Sequence, residues 1–358
     1  MAKDRRKDEK SVMSNLEAAP TEVACSASQA AGIEVLHPRE VPLGGPRAIR
    51  VQRTLPQRQR SLIGAWCFAD HYGLQGLQGL QTGPQTCPAA RMDVPPHPHT
   101  GLQTVSWLFS GVVEHRDSAG VRALIWPGEL NLITTGAGIC HSEVSVESDA
   151  ALRGVQLWVA LPDADRDTGR DFAHYAPAPI SLPGAVTRVF LGQLAGSRSP
   201  VHAFTPLLGA QIDIDAGAEL DIDVDPAFEH GVLCDSGTVE IGTMTGTTLA
   251  VADLGYQSPG SSALRLRNVG DEPARVVLLG GTPFTEELLM WWNFVGRSHD
   301  EIVRYRQQWE GADQRFGVVE GYRGAVSRLP APPMPATRLR ARPPPRPIPH
   351  ESNGRASQ

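Results

Sequence analysis

His97 and His99 stand two residues apart in "DVPPHPHTGLQTVSWLF" (Asp93–Phe109), and His141 and Glu143 stand two apart in "TTGAGICHSEVS" (Thr134–Ser145). On a β-strand, residues i and i+2 point the same way, so each pair presents two donors to one side. Pro98 keeps the first pair extended and is tolerable at the start of a strand. Cys140, of opposite parity to His141, is expected to face away. Two strands of this kind would deliver three imidazoles and one carboxylate, a set that suits Fe, Mn, Ni, Cu or Zn and needs no thiolate. Open positions would remain on such an ion for water, dioxygen or substrate. An H-x-H pair alone is far more often a solvated loop; the second pair at matched parity is what argues for a metal.

Counting on by twos from His99, the same face carries Gln103, Val105, Trp107 and Phe109, a polar mouth over an apolar floor. These four are the expected substrate-pocket wall, with Trp107 and Phe109 either stacking on an aromatic substrate or packing in the core. His115, in "VVEHRDSAG", either bonds Asp117 at a hairpin end or reaches the pocket rim.

Strands must position these pairs, and the chain reads as strands. From Glu34 onward, short apolar pieces are separated by Gly, Pro and Asp, the rhythm of an all-β sandwich or barrel. "IDID" and "LDIDV" alternate strictly, as a sheet with one wet face does. "LFSGVVEHRD" and "LCDSGTVEIG" share an apolar run, a Ser-Gly turn and then Val-Glu, a weak internal repeat that implies two related β-domains. Near the end, "FTEELLMWWNFVG" and "SHDEIVRYRQQWEG" read as helical, the second capped by Ser298 with Glu301 three residues on. The expected organisation is a disordered extension over 1–30, a metal-binding barrel over 31–185 and a second barrel without metal over 186–297. A helical segment over 298–325 and a disordered Pro/Arg-rich tail over 326–358 complete it. "GLQGLQGLQTG" (73–83) is expected to be a flexible loop. In the second half only Glu229-His230 hints at a site, and adjacent strand residues face opposite sides.

Composition narrows the function classes. The 358 residues are 41% hydrophobic and 20% charged, with 33 − 39 = −6 net charge. Residues 1–10 carry +2 and 328–358 carry +5, which leaves −13 for the body, a poor match for direct nucleic-acid binding. No apolar run is long enough to span a membrane, and no secretory leader is evident. Five scattered cysteines without a C-x-x-C are expected to be reduced thiols of a cytoplasmic protein. Neither a nucleotide-binding glycine fingerprint nor a G-x-S-x-G elbow is present.

"PPHPHTGLQTVSWLFSGVVEHRDSAG", "PGELNLITTGAGICHSE" and "GVQLWVALP" together resemble the pirin family of the cupin superfamily, over about Glu34 to Gln308. The closing "MWWNFVGRSHDEIVRYRQQW" is similar to the final segment of bacterial pirins. The resemblance implies a bicupin: two β-barrels in one chain, with one divalent metal, most readily Fe(II), in the first. Its ligands fall on His97, His99, His141 and Glu143. The chain departs from many relatives at Gln103, where a Glu is frequent. The resemblance further implies a flavonol (quercetin-type) 2,3-dioxygenase using dioxygen, with Glu143 as ligand and base together. Vertebrate relatives imply an alternative, a non-catalytic iron- and redox-sensing regulator acting through protein partners, which the basic tails could contact. A Zn or Mn isomerase or hydrolase is a third reading. A monomer or weak dimer is the expected state.

Overall fold

The computed structural model describes residues 32–43, 49–74, 92–148, 150–242 and 246–341 of the chain. The extension over 1–30, most of the GLQ repeat and the tail beyond 341 lie outside the described residues. Among the described residues the regular structure is almost entirely β-strand, with one α-helix. After β1 (Glu34–Leu36), the first barrel is built from β2 (Arg39–Leu43), β3 (Ile49–Leu55), β4 (Trp66–Tyr72), β5 (Asp93–His99), β6 (Leu102–Ser110) and β7 (Val113–Asp117). It is completed by β8 (Arg122–Ile125), β9 (Leu130–Thr134), β10 (Ile139–Ser145), β11 (Arg153–Ala160) and β12 (Asp171–Tyr175). Its large sheet runs β12-β9-β6-β11-β4-β3-β2 and its small sheet β5-β10-β7-β8.

The second barrel repeats this plan. It uses β13 (Ile180–Leu182) and β14 (Ala185–Leu191), passes through a small hairpin of β15 (Gln193–Leu194) and β16 (Ser197–Arg198), and continues with β17 (Leu207–Ile214) and β18 (Glu219–Asp223). Then follow β19 (Glu229–Ser236), β20 (Val239–Ile241), β21 (Thr247–Leu249), β22 (Leu254–Gln257), β23 (Ala263–Asn268) and β24 (Ala274–Gly281). Its sheets run β1-β22-β19-β24-β17-β14-β13 and β18-β23-β20-β21, the same order strand for strand. The Ser-Gly turns of the weak repeat occupy equivalent hairpins, after β6 and after β19, and both glycines have positive φ (Gly111 77°, Gly237 79°). Two strands fall on the other side of the expected boundaries. β1 pairs with β22 of the second barrel, and β13 pairs with β14, so the second sheet begins before residue 186 and borrows the start of the chain.

The large sheets pack against each other, and one apolar cluster runs through both, joining Val105, Trp107, Val155 and Leu157 to Phe190, Leu207, Leu233 and Leu279. A second cluster fills the second barrel with Leu220, Ile222, Leu264 and Leu266. These four sit on β18 and β23, the counterparts of β5 and β10, so the second barrel holds aliphatic side chains on the face where the first holds histidines.

The closing segment departs from the helical expectation in its first half. Phe284–Gly296 contains no helix; β25 (Leu289–Trp291) and β26 (Phe294–Gly296) form a hairpin whose turn puts Trp292 at φ 53°. Trp291, Trp292 and Phe294 are buried on both sides of that hairpin, a demand that overrides helix periodicity. The second half is α1 (His299–Glu310), in which Ser298 Oγ accepts from Glu301 N as expected. The expected disorder of the tail does not extend to 326–341. Leu329 and Ala331 are buried against Trp309 and Phe316, Trp309 Nε1 donates to Leu329 O (2.8 Å), and Leu329 N donates to Pro96 O (2.8 Å). Pro/Arg-rich composition describes what solvent sees; two apolar residues and an unpaired edge on β5 suffice to pin the strap. Among the described residues no helix is long and apolar enough to cross a membrane.

Candidate metal centre

β10 lies between β5 and β7, and its register assembles the site. His141 opposes His97 on one side and Asp117 on the other; Glu143 opposes His115; Ile139 opposes His99. A register shift between His141 and Glu143 interrupts the β5 pairing there. The inner face of the small sheet therefore carries His97, His99, His141, Glu143, His115 and Asp117, all at most 6% exposed. Ring centroids lie 4.3 Å apart for His97–His141, 5.0 Å for His99–His141 and 5.0 Å for His97–His99. One nitrogen from each of these three imidazoles lies within 4.8 Å of the other two. Glu143 is grouped differently: its carboxylate falls within the same limit of His141 and His115. The structure thus brings the four sequence-predicted ligands onto one wall, and adds His115, the residue that sequence reasoning left between rim and hairpin. Cys140 faces the other way, as its parity requires, into the C-terminal cluster.

Hydrogen bonds fix which nitrogens are free. His97 Nδ1 donates to Pro95 O (2.9 Å) and His99 Nδ1 to Asn293 O (3.1 Å), which leaves both Nε2 lone pairs for a ligand. The second bond makes the C-terminal hairpin a support of the site. Neither ring nitrogen of His141 has a hydrogen-bond partner. Burial holds all three imidazoles neutral: His97 is pushed down to about 4, and His99 and His141 well below the usual histidine range, with neighbouring histidines adding to the effect. Burial raises the Glu143 carboxyl, partly offset by the proximity of His115 and the Ser106 hydroxyl (3.1 Å). Neutral buried imidazoles, one with orphaned nitrogens, next to a carboxylate fit a divalent transition metal, whose ligand histidines must be unprotonated.

The expected pocket wall is corrected. Gly101, with φ 68°, breaks the chain between β5 and β6, and the two strands enter different sheets. Parity does not carry across such a turn. Gln103, Val105, Trp107 and Phe109 face the second barrel instead. Trp107 Nε1 donates to Gln211 Oε1 (2.8 Å) and its ring lies 4.6 Å from Phe190. Gln103 Nε2 donates to Thr134 Oγ1 (3.0 Å), Val105 is in the shared core, and Phe109 packs between His71 and Arg275. The alternate residues of β6 face the site: Ser106 bridges Glu143 and Gln156 Oε1 (2.9 Å). From β11, Trp158 lies edge-on to His99 at 5.1 Å and stacks on Phe68 at 4.0 Å. Arg53 covers Phe68 (4.3 Å) and pairs with Asp70 through two bonds of 2.6 and 2.7 Å, both residues fully enclosed. The sequence signal for this wall was present in "QTVSWLF", one residue out of phase.

Two barrels of identical strand order, one carrying clustered histidines on its small sheet, define a bicupin. A family model described as Pirin matches residues 48–159, and one described as Pirin C-terminal cupin domain matches 209–317. A Pseudomonas aeruginosa protein provisionally named a quercetin 2,3-dioxygenase is 42% identical over 298 residues, 83% of this chain and 89% of its own. A pirin-like protein of Caulobacter vibrioides is 32% identical, covering 74% of this chain and 90% of its own. Among solved structures, a quercetin 2,3-dioxygenase of Acinetobacter baumannii superposes with a TM-score of 0.77 at 36% identity, over 87% of this chain and 98% of that one. The chain belongs to the pirin family.

Proposed function

We propose that the protein is a metal-dependent dioxygenase of aromatic, flavonol-like substrates, with a divalent ion, most readily Fe(II), held by His97, His99, His141 and Glu143. The observation that carries this reading is the convergence of three neutral, buried imidazoles, two of them oriented through Nδ1 and the third without a hydrogen-bond partner at either nitrogen. The names borne by the Pseudomonas and Acinetobacter relatives supply the substrate class. A bound divalent ion would supply Lewis acidity toward a substrate hydroxyl and a place for dioxygen.

The protein's own groups supply the rest. The stacked Trp158 and Phe68 offer an aromatic wall beside His99, suited to a flat ring system. Glu143, its carboxyl already raised by burial and its Oε1 accepting from Ser106, serves as ligand and base together and takes the substrate's hydroxyl proton. Enclosure of the whole set keeps bulk water from competing. The test is oxygen uptake and carbon monoxide release by Fe(II)-loaded protein with quercetin and simpler catechols. Turnover lost in His97→Ala supports the reading, and absence of turnover in the fully loaded protein rejects it.

A further inference from the structure

Glu143 does not join the three-imidazole group; it lies with His115 and His141. Asp117 turns His115 toward that group. Its Oδ2 meets His115 Nε2 at 3.2 Å while its Oδ1 accepts from the N–H groups of Ala119 (2.8 Å) and Val121 (3.0 Å), so the carboxylate is fixed on both oxygens. Phe172 stacks on the His115 ring at 5.3 Å. A carboxylate that orients a histidine while its other nitrogen stays free is the usual support of a metal ligand. His115 Nδ1 has no hydrogen-bond partner, nor has either nitrogen of His141. His115, His141 and Glu143 are 1%, 0% and 6% exposed, so water in bulk does not compensate. Two imidazoles and a carboxylate offer ligand atoms within 4.8 Å of one another, out of solvent, an arrangement that a cation between them would satisfy together.

Resting on the reading of this pocket as a metal centre, we propose that it offers a divalent cation a second, overlapping donor set, His115, His141 and Glu143, which shares His141 and Glu143 with the first and adds His115. The two sets differ in their imidazoles. His115 takes the place of His97 and His99, and the remaining two imidazoles and one carboxylate cancel one of the ion's charges, a donor set that suits Fe(II) and leaves open coordination positions. His141 and Glu143 are common to both, and one ion is held toward His97 and His99 or toward His115.

Co(II) is the probe, read by its visible absorption on titration of chelator-stripped full-length protein. Wild type is expected to bind one equivalent. His97→Gln with His99→Gln dismantles the first set and is expected to retain a weaker, saturable equivalent; adding His115→Ala abolishes it. Loss of all Co(II) binding in the double variant, or residual binding indifferent to His115→Ala, overturns the second set while leaving the first intact. No binding by wild type overturns both, together with the proposed function. If circular dichroism shows the double variant unfolded, His99→Gln serves in its place. His115→Ala must then weaken its Co(II) binding at least tenfold, and an unchanged affinity overturns the proposal.

Discussion

At the scale of single residues, the site depends on which atoms lack a partner. His141 is enclosed with both ring nitrogens lacking a hydrogen-bond partner, and a cation bound at one of them would relieve part of that cost. His141→Ala should therefore reduce tightly bound metal to under a tenth of one equivalent, as read by elemental analysis, while leaving the β-sheet circular dichroism in place. Ser106 acts one step back. Its hydroxyl is shared between Glu143 and Gln156, and Ser106→Ala leaves the Glu143 oxygen without that donor. Supporting residues of this kind typically contribute 10–100-fold to metal affinity, so a weakening of about 10-fold is expected by chelator competition. Unchanged affinity would show that Ser106 serves only the fold.

At the scale of elements, the β5–β6 turn decides which side chains see the ion. Gly101 occupies a left-handed conformation, and a Cβ there would meet Val295 O at 2.7 Å. Gly101→Ala should cost about 1–3 kcal/mol in thermal or denaturant unfolding. It should also weaken metal binding, because the same turn seats Thr100 against the hairpin whose Asn293 carbonyl orients His99. The turn explains the misplaced pocket wall as well. Strand parity is a property of one uninterrupted pleat, and reading it from His99 through to Phe109 crossed a break. Trp107 provides the decisive comparison. Trp107→Ala should destabilise by about 3–5 kcal/mol, since it empties the core between barrels, yet leave metal stoichiometry at the wild-type value. A drop in bound metal in folded Trp107→Ala protein would return that residue to the site.

At the scale of the whole molecule, the two barrels share one interior. Besides the shared apolar core, His71 Nε2 meets Asp235 Oδ1 at 2.7 Å, and Arg153 donates to the same oxygen at 3.0 Å, so a buried polar bridge spans the interface. The body also carries histidines that fold neutral. His97 in the first barrel and His230 in the second are both pushed down to about 4 by burial, from the ordinary 6.5. Between these values the unfolded chain binds protons that the folded chain does not, so stability rises with pH across that window and falls on acidification. The expected loss from pH 7 to pH 4 in metal-free protein is on the order of 3 kcal/mol for each such histidine. Denaturant midpoints measured across pH 4–7 check this. A flat profile would place water or a counter-charge beside these rings. Metal-loaded protein should lose its ion over the same range.

Local rules were enough to make His97, His99, His141 and Glu143 legible, because the pleat of a strand fixes residues i and i+2 on one face whatever surrounds it. The same rules turned Cys140 away and placed the Ser298 cap, since parity and capping depend on a few neighbouring residues. The repeat of a Ser-Gly turn followed by Val-Glu likewise disclosed two related barrels. What lies between distant segments was decided by the tertiary structure alone. Pairing of β10 with β7 set Glu143 opposite His115, a contact across twenty-eight residues that no local pattern encodes. Packing between the barrels claimed Trp107 and Phe109 for the interior, and the left-handed turn at Gly101 handed the pocket wall to Ser106, Phe68 and Trp158. The strap over 326–341 was ordered by an edge strand and a tryptophan that its own composition does not mention. Donor types and their local direction follow from sequence because they are fixed by the chain's own geometry; which donors meet depends on long-range register, and that exists only once the sheets have closed.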